Sequence, residues 1–268
     1  MSNTVGACLL FILVLGALLI QTAGLNINFA SNSMFRTSTQ NNAPILINQN
    51  TNTNPQVVEL FTSEGCSSCP PADDLLAKTQ KNFKNNVIVL SYHVDYWDRL
   101  GWKDPFSKKI FSERQRLYAM HFRDESVYTP QAIVNGKASF VGSNKTGIWN
   151  SINNYKSANN NIIETEIPVL SNEKLSIKYY YAGLQANEKI VMQLVLKSSS
   201  TNVKRGENSG ATLHHIHIVQ DIAVQHESKG FVTFKLPSNF TKENYFVVAF
   251  VQNQSSFEIT GAKEISIL

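Results

Sequence analysis

The stretch VVELFTSEGCSSCPPADDLL, residues 57–76, constrains this chain more than any other. Its first residues, Val57 to Phe61, read as a strand. Two cysteines follow, Cys66 and Cys69, and then two prolines. The segment ADDLLAKTQKNF (72–83) places Leu75, Leu76, Thr79 and Phe83 roughly on one helical face. Val87 to Leu90 supplies a second buried-strand pattern that runs on through Asp95. Strand, helix, strand in that order predicts a parallel βαβ unit. Proline has no backbone N–H, and the first helical turn needs none, so Pro70 and Pro71 fix where the helix starts. Ser68 is its expected cap.

The position of the cysteines carries a chemistry. A helix N-terminus has unpaired N–H groups and a partial positive charge, which favour thiolate over thiol. Thiolate is the species that attacks a disulfide. Cys66 is therefore the expected nucleophile, and the more exposed of the two; Cys69 resolves. Farther on, Thr129-Pro130 precedes a strand at Gln131–Val134, an Asn135-Gly136 turn and a returning strand at 137–141. A CxxC within βαβ is the thioredoxin-like redox pattern. Pro130 matches the place where such proteins set a cis-proline opposite the cysteines, a geometry that is cheap only before proline. It would leave the Thr129 backbone to pair with a substrate strand.

Other residues near the turn invite roles. Glu64 reads either as a base for Cys66 or as a solvated surface carboxylate. His93 and Asp95 alternate to one side of the second strand, where they would relay protons or help a metal. Their plainer reading is a hydrogen-bonded pair holding the aromatic loop Tyr96–Phe106. For that loop, packing against the core is expected ahead of a docking platform built from Tyr96, Trp97, Trp102 and Phe106. Two rival readings of the cysteines stay open. Copper(I), a soft ion suited to thiolates, would take Cys66, Cys69 and His93. An inert disulfide is disfavoured because so short a loop gains little from cross-linking. A closed zinc site would need two more ligands, and there is no second CxxC.

Residues 107–122 and 145–157 read as helices. After about residue 161 the pattern changes. Seven runs with partial alternation, within 164–267, are separated by Pro, Gly and Asn, with no helical period between them. They predict an antiparallel β-sandwich and a domain boundary near 161. His215 and His217 alternate to one face and read as structural, because no carboxylate or cysteine beside them completes a ligand set. Asn144-Lys-Thr and Asn239-Phe-Thr fit the glycosylation pattern.

The amino-terminal segment bears on location. Ala7 to Ile20 is apolar, about as long as a signal-peptide core and short of the roughly 20 residues of a membrane helix. MSNTVG lacks a positive n-region, so a cleaved leader (1–24) and an uncleaved membrane tether are both read. Either exports the body to a periplasmic or extracellular compartment. Residues 25–56, rich in Asn, Ser, Thr and Gln, read as a disordered linker. Cleavage would remove Cys8 of the three cysteines, leaving Cys66 and Cys69 in an oxidising compartment. With 24 basic and 20 acidic residues and no basic run, the chain is not expected to bind nucleic acid. It has no glycine-rich nucleotide fingerprint, so no organic cofactor is expected.

Residues 57–268 resemble the exported thioredoxin-like family known as domain-of-unknown-function family 1223. The likeness lies in VELFTSEGCSSCPPADDLL, SYHVDYWDRLGWKDPF and VYTPQAIVNG, and more loosely in VGSN and in RGEN with the following TLHH. It implies an α/β thioredoxin-like domain with a helical insertion over 57–161, then an antiparallel β-sandwich-like domain over 162–268. The family carries no established reaction, so the roles of Cys66, Cys69 and Pro130 rest on general thioredoxin logic. The expected activity is disulfide exchange with protein thiols and disulfides, linked to an unidentified redox partner. Copper(I) binding and a non-catalytic binding module are the alternatives.

Overall fold

The computed structural model describes residues 54–155 and 163–268. These all belong to one unit, Ala43–Leu268. The leader at 1–24 and nearly all of the expected linker lie outside the described residues. The strand–turn–helix–strand stretch builds β1 (Gln56–Thr62), α1 (Pro70–Phe83) and β2 (Val87–His93). β1 and β2 pair in parallel from Gln56↔Val87 to Thr62↔His93. Both strands are buried along almost their whole length, as expected of parallel strands covered on two faces. On one face α1 packs Ala72, Leu75 and Leu76 against Val58, Leu60 and Val89. On the other, α2 (Lys109–Phe122) packs Phe111 and Tyr118 against Phe61 and Tyr92.

That second face also buries charge. Glu59, in the middle of β1, is fully enclosed and takes a two-pronged ion pair from Arg114 of α2, with Nε–Oε1 at 2.6 Å and Nη2–Oε2 at 3.0 Å. The Tyr118 hydroxyl donates to the same carboxylate, and Gln252 Nε2 donates to Tyr118 Oη at 3.0 Å.

β3 (Gln131–Val134) runs antiparallel on the side of β1 away from β2, and β4 (Ala138–Val141) completes the hairpin. The turn residues Asn135 and Gly136 have φ of 50° and 70°, the left-handed pair that a two-residue hairpin requires. α3 (Lys145–Asn154) is capped by Asn144, whose side chain accepts from the Gly147 N–H at 3.0 Å.

The second half supplies β5 (Glu164–Thr165), β6 (Val169–Ser171), β7 (Lys174–Tyr180), β8 (Glu188–Asn202), β9 (Thr212–Gln225), β10 (Lys229–Lys235), β11 (Tyr245–Asn253) and β12 (Ile259–Ser266). β10, β7 and β5 form a small sheet, with β6 also paired to β7. Its Leu175, Ile177, Val232 and Phe234 pack against Ile190, Met192, Leu194, Val247 and Ala249 of the larger sheet. Two sheets face each other there, as the alternation predicts.

The boundary expected near 161 does not divide the larger sheet. Its order is β12-β11-β8-β9-β2-β1-β3-β4, and β9 joins β2 in parallel at Ser91↔Ile218. Without β9, β2 would present a bare edge of unpaired N–H and C=O groups. Side-chain alternation reports which face of a strand is buried, and it is silent on which strand lies beside it. The fold is thus mixed α/β around a large, mostly antiparallel sheet.

Candidate functional site

Cys69, not Ser68, is the residue before the first helical position of α1, with φ −80° and ψ −36°. Pro70 and Pro71 fill the first positions, and no side chain caps them. The shift of one residue follows from the prolines, which have no N–H for a serine hydroxyl to receive. The turn is closed by backbone bonds: Cys66 N–H to Ser63 O at 3.2 Å, Cys69 N–H to Cys66 O at 3.2 Å, and Asp73 N–H to Cys69 O at 3.1 Å. The cysteines are joined as a disulfide, S–S 2.18 Å. Ser67 and Ser68 are exposed, but Cys66 and Cys69 are each 0% exposed. The expectation that Cys66 would be the more exposed partner is corrected: both sulfurs point inward beneath the two serines and the segments that close over them.

The Thr129–Pro130 peptide is cis and lies opposite this turn. Ser68 Oγ bridges the two, 3.3 Å from Cys66 Sγ and 3.4 Å from the Thr129 carbonyl oxygen. Trp97 Nε1 donates to Thr129 Oγ1 at 2.8 Å. Gly142 backs the proline closely enough that an added Cβ would stand 2.8 Å from Pro130 Cβ. Cys66, Cys69, Thr129 and Pro130 are therefore brought together from two distant stretches.

Behind the turn lies a buried polar cluster, of which only fragments are legible in the sequence. Glu64 is 0% exposed, so the solvated reading of it is corrected. Its Oε2 accepts from Trp102 Nε1 at 2.8 Å, and its N–H donates to Asp104 Oδ2 at 2.8 Å. The same oxygen of Asp104 pairs with His93 Nδ1 at 2.7 Å. His93 and Asp95 are not partners. β2 ends at His93, the chain enters a 3-10 turn over Asp95–Leu100, and Asp95 pairs instead with the Ser112 hydroxyl. Strand alternation cannot be extended past the strand's end. The aromatic loop is packed rather than presented: Trp97 and Trp102 hold Thr129 and Glu64, Tyr96 Oη donates to Gln115, and Phe106 lies against His93.

His215 enters from β9, enclosed between two carboxylates. Its Nε2 is 3.4 Å from Glu64 Oε1, and its Nδ1 is 3.7 Å from Asp73 Oδ2, which also accepts from Thr62 Oγ1 at 3.2 Å. The His93 and His215 rings meet edge to face at 4.6 Å. Burial pulls the His215 pKa down, but Asp73 and Glu64 outweigh it and push it up to about 10. Burial likewise raises the Asp104 carboxyl, and His93 outweighs it, holding it below the usual carboxylate range. His217 has φ 47° and turns its Nδ1 to the Val89 carbonyl at 3.0 Å, away from the company of His215. The carboxylates missing from the neighbourhood of His215 in sequence come from the cysteine stretch. Among the described residues, no three His, Cys, Asp or Glu side chains form a group suited to a metal ion.

A third element closes the site. The loop 203–211 between β8 and β9 lies over the cysteine turn. Asn208 Nδ2 donates to the main-chain oxygens of Glu64 and Cys66, both at 2.9 Å. The Ser67 N–H donates to Glu207 Oε2 at 3.0 Å, and the hydrogen bonds from Ser67 hold the Glu207 carboxyl below its ordinary value. Gly206, φ 78°, approaches Trp102 so closely that a Cβ there would lie 3.2 Å from Trp102 Cβ. These loop residues include the RGEN stretch, whose contacts no periodicity could disclose.

The family described as "Protein of unknown function (DUF1223)" matches residues 57–252. A structural-genomics crystal structure of an Agrobacterium tumefaciens protein is similar at 29% identity and a TM-score of 0.62, over 81% of this chain and 96% of that one. A domain of the outer membrane lipoprotein Omp28 from Porphyromonas gingivalis shares 16% identity over 40% of this chain and 87% of its own; its TM-score of 0.26 carries no argument. No curated protein matches.

Proposed function

The chain belongs to the family of unknown function DUF1223, and we propose that it is a thiol–disulfide exchange protein working through Cys66 and Cys69. One observation carries the reading: a bonded CxxC at the start of α1 faces a cis-proline peptide. The arrangement of β2-β1-β3-β4 with α1 and α3 further supports a thioredoxin-like core. In the reduced protein, the Cys66 thiolate attacks a substrate disulfide, and one substrate sulfur leaves as thiolate. Cys69 then displaces the second substrate sulfur. The products are the Cys66–Cys69 disulfide and a substrate dithiol, two electrons having passed to the substrate; the reverse sequence oxidises a dithiol. His215, paired with Asp73 one helical turn beyond Cys69, is suited to hold a proton behind the cysteine turn. Substrates are protein thiols and disulfides. A compartment in which disulfides persist, periplasmic or extracellular, fits the apolar leader. That leader is the proposed export signal or membrane tether; among the described residues no helix is long and apolar enough to cross a membrane.

The copper(I) reading has less support. The two sulfurs that would ligate the ion are bonded to each other. The exchange reading is tested by reducing the full chain, mixing it with a disulfide-bonded test protein and following electron transfer. Wild type should turn over; Cys66→Ser should lose all turnover, and Cys69→Ser should trap a mixed disulfide at Cys66. No transfer by wild type, with tight copper(I) binding surviving a chelator, would overturn exchange in favour of the metal. Unchanged biological function in the double serine variant would favour a binding module.

A further inference from the structure

A disulfide whose two sulfurs have no exposed surface cannot be attacked where it stands. Resting on the exchange reading, we propose that loop 203–211 is a latch over the cysteine turn, released when a visiting polypeptide takes over the hydrogen bonds of Asn208 and Glu207.

The loop is built as a self-contained piece. Its neck is closed by Val203 N–H to Ala211 O and Gly210 N–H to Val203 O, both 2.9 Å. Its tip is shaped by Ser209 N–H to Gly206 O at 3.2 Å and Ala211 N–H to Asn208 O at 3.0 Å. Val203 is buried and anchors the neck, whereas residues 204–207 are exposed. Gly210, φ 85°, supplies the left-handed residue that closes the neck, with open space where a side chain would point. The hydrogen bonds that tie the tip to the turn come from two side chains.

What those side chains touch identifies the visitor. Asn208 supplies N–H donors to the carbonyls of Glu64 and Cys66, and Glu207 supplies an acceptor to the Ser67 N–H. An amide donor and an oxygen acceptor side by side are what the backbone of an extended peptide offers. The latch is thus a stand-in for the main chain of a protein substrate. When it leaves, the same three backbone groups are free to align the incoming segment, and Cys66 Sγ becomes reachable. Small thiols, which offer no such backbone, must wait for spontaneous opening.

The test is reduction of the full-length oxidised chain by dithiothreitol, quenched by alkylation and read by mass. A reductant thiolate attacks Cys66 Sγ, and Cys69 leaves as thiolate and takes up a proton. The second reductant thiol then frees Cys66, giving two cysteine thiols and oxidised dithiothreitol. Asn208→Ala should accelerate this roughly tenfold, as expected from the loss of two hydrogen bonds in the closed state. Glu207→Ala, altering a solvent-exposed side chain, should give a smaller acceleration and faster amide exchange at Ser67. A rate for Asn208→Ala within about twofold of wild type, at an unchanged unfolding midpoint, overturns the latch. If Asn208→Ala does not fold, Glu207→Ala decides: an unchanged reduction rate and unchanged Ser67 exchange overturn it. Faster reduction of these variants in a protein that passes no electrons to a test disulfide would support the latch and sink the exchange reading, so the two failures are separable.

Discussion

His215 holds a proton between the carboxylates of Glu64 and Asp73, with His93 and its partner Asp104 closing the same cluster. Its pKa is raised from the ordinary value to about 10, so the pairing stabilises the fold fully below the unfolded value of 6.5 and is lost as pH climbs through about 10. Urea unfolding of wild type and His215→Gln should therefore show a gap that is widest near pH 6 and shrinks toward about pH 10. A gap that does not change with pH would mean that the histidine is neutral in the fold. Single residues also show why the site was only partly legible. Cys66, Cys69 and Pro130 could be read because each announces itself locally, by spacing, by helix position or by a proline before a hairpin. Glu64 and Asp73 sit in a polar stretch, and nothing beside them tells that β9 will deliver a histidine. Alternation matches His93 to Asp95; its actual partner Asp104 is reached only because the chain turns back after β2.

At the scale of elements, the joint between β1 and α2 is the place where burial and charge compete. Arg114 and Glu59 lie out of water and satisfy each other with Tyr118 and Gln252. Arg114→Met should destabilise the protein by about 3–5 kcal/mol, because it strands a buried carboxylate. Glu59→Met with Arg114→Met should recover most of that loss, since Tyr118 and Gln252 keep each other. Denaturant midpoints of the two variants decide it; equal destabilisation would show that the pair itself, not the stranded charge, matters. The helices are legible nearly to their ends, whereas the first of the seven later runs is split into β5 and β6 and β8 runs on to Asn202. The parallel pair was visible in continuous apolar runs, and the later strands in alternation between turn residues. The ion pair at Glu59 is not legible, because one acidic residue in such a run gives no sign of a guanidinium arriving from a helix.

For the whole molecule, the seam between β9 and β2 makes one body of what the sequence divides in two. A chain ended near residue 160 would lose β9 beside β2, His215 beside Glu64 and Asn208 over Cys66. Such a fragment is expected to show no cooperative unfolding transition by circular dichroism, whereas two independent domains would leave it folded. The abundance of strands in the second half could be read from strand spacing, but this seam could not, since the order of strands in a sheet depends on edges that meet only after folding. The distance along the chain between the cysteines and their cover has a temporal consequence. Asn208 and Cys66 are 142 positions apart. Synthesis from the amino end presents both sulfurs before the segment destined to roof them has been made. The two cysteines are therefore open to one another, and to any oxidant, until the last third of the chain arrives to shut the door on them.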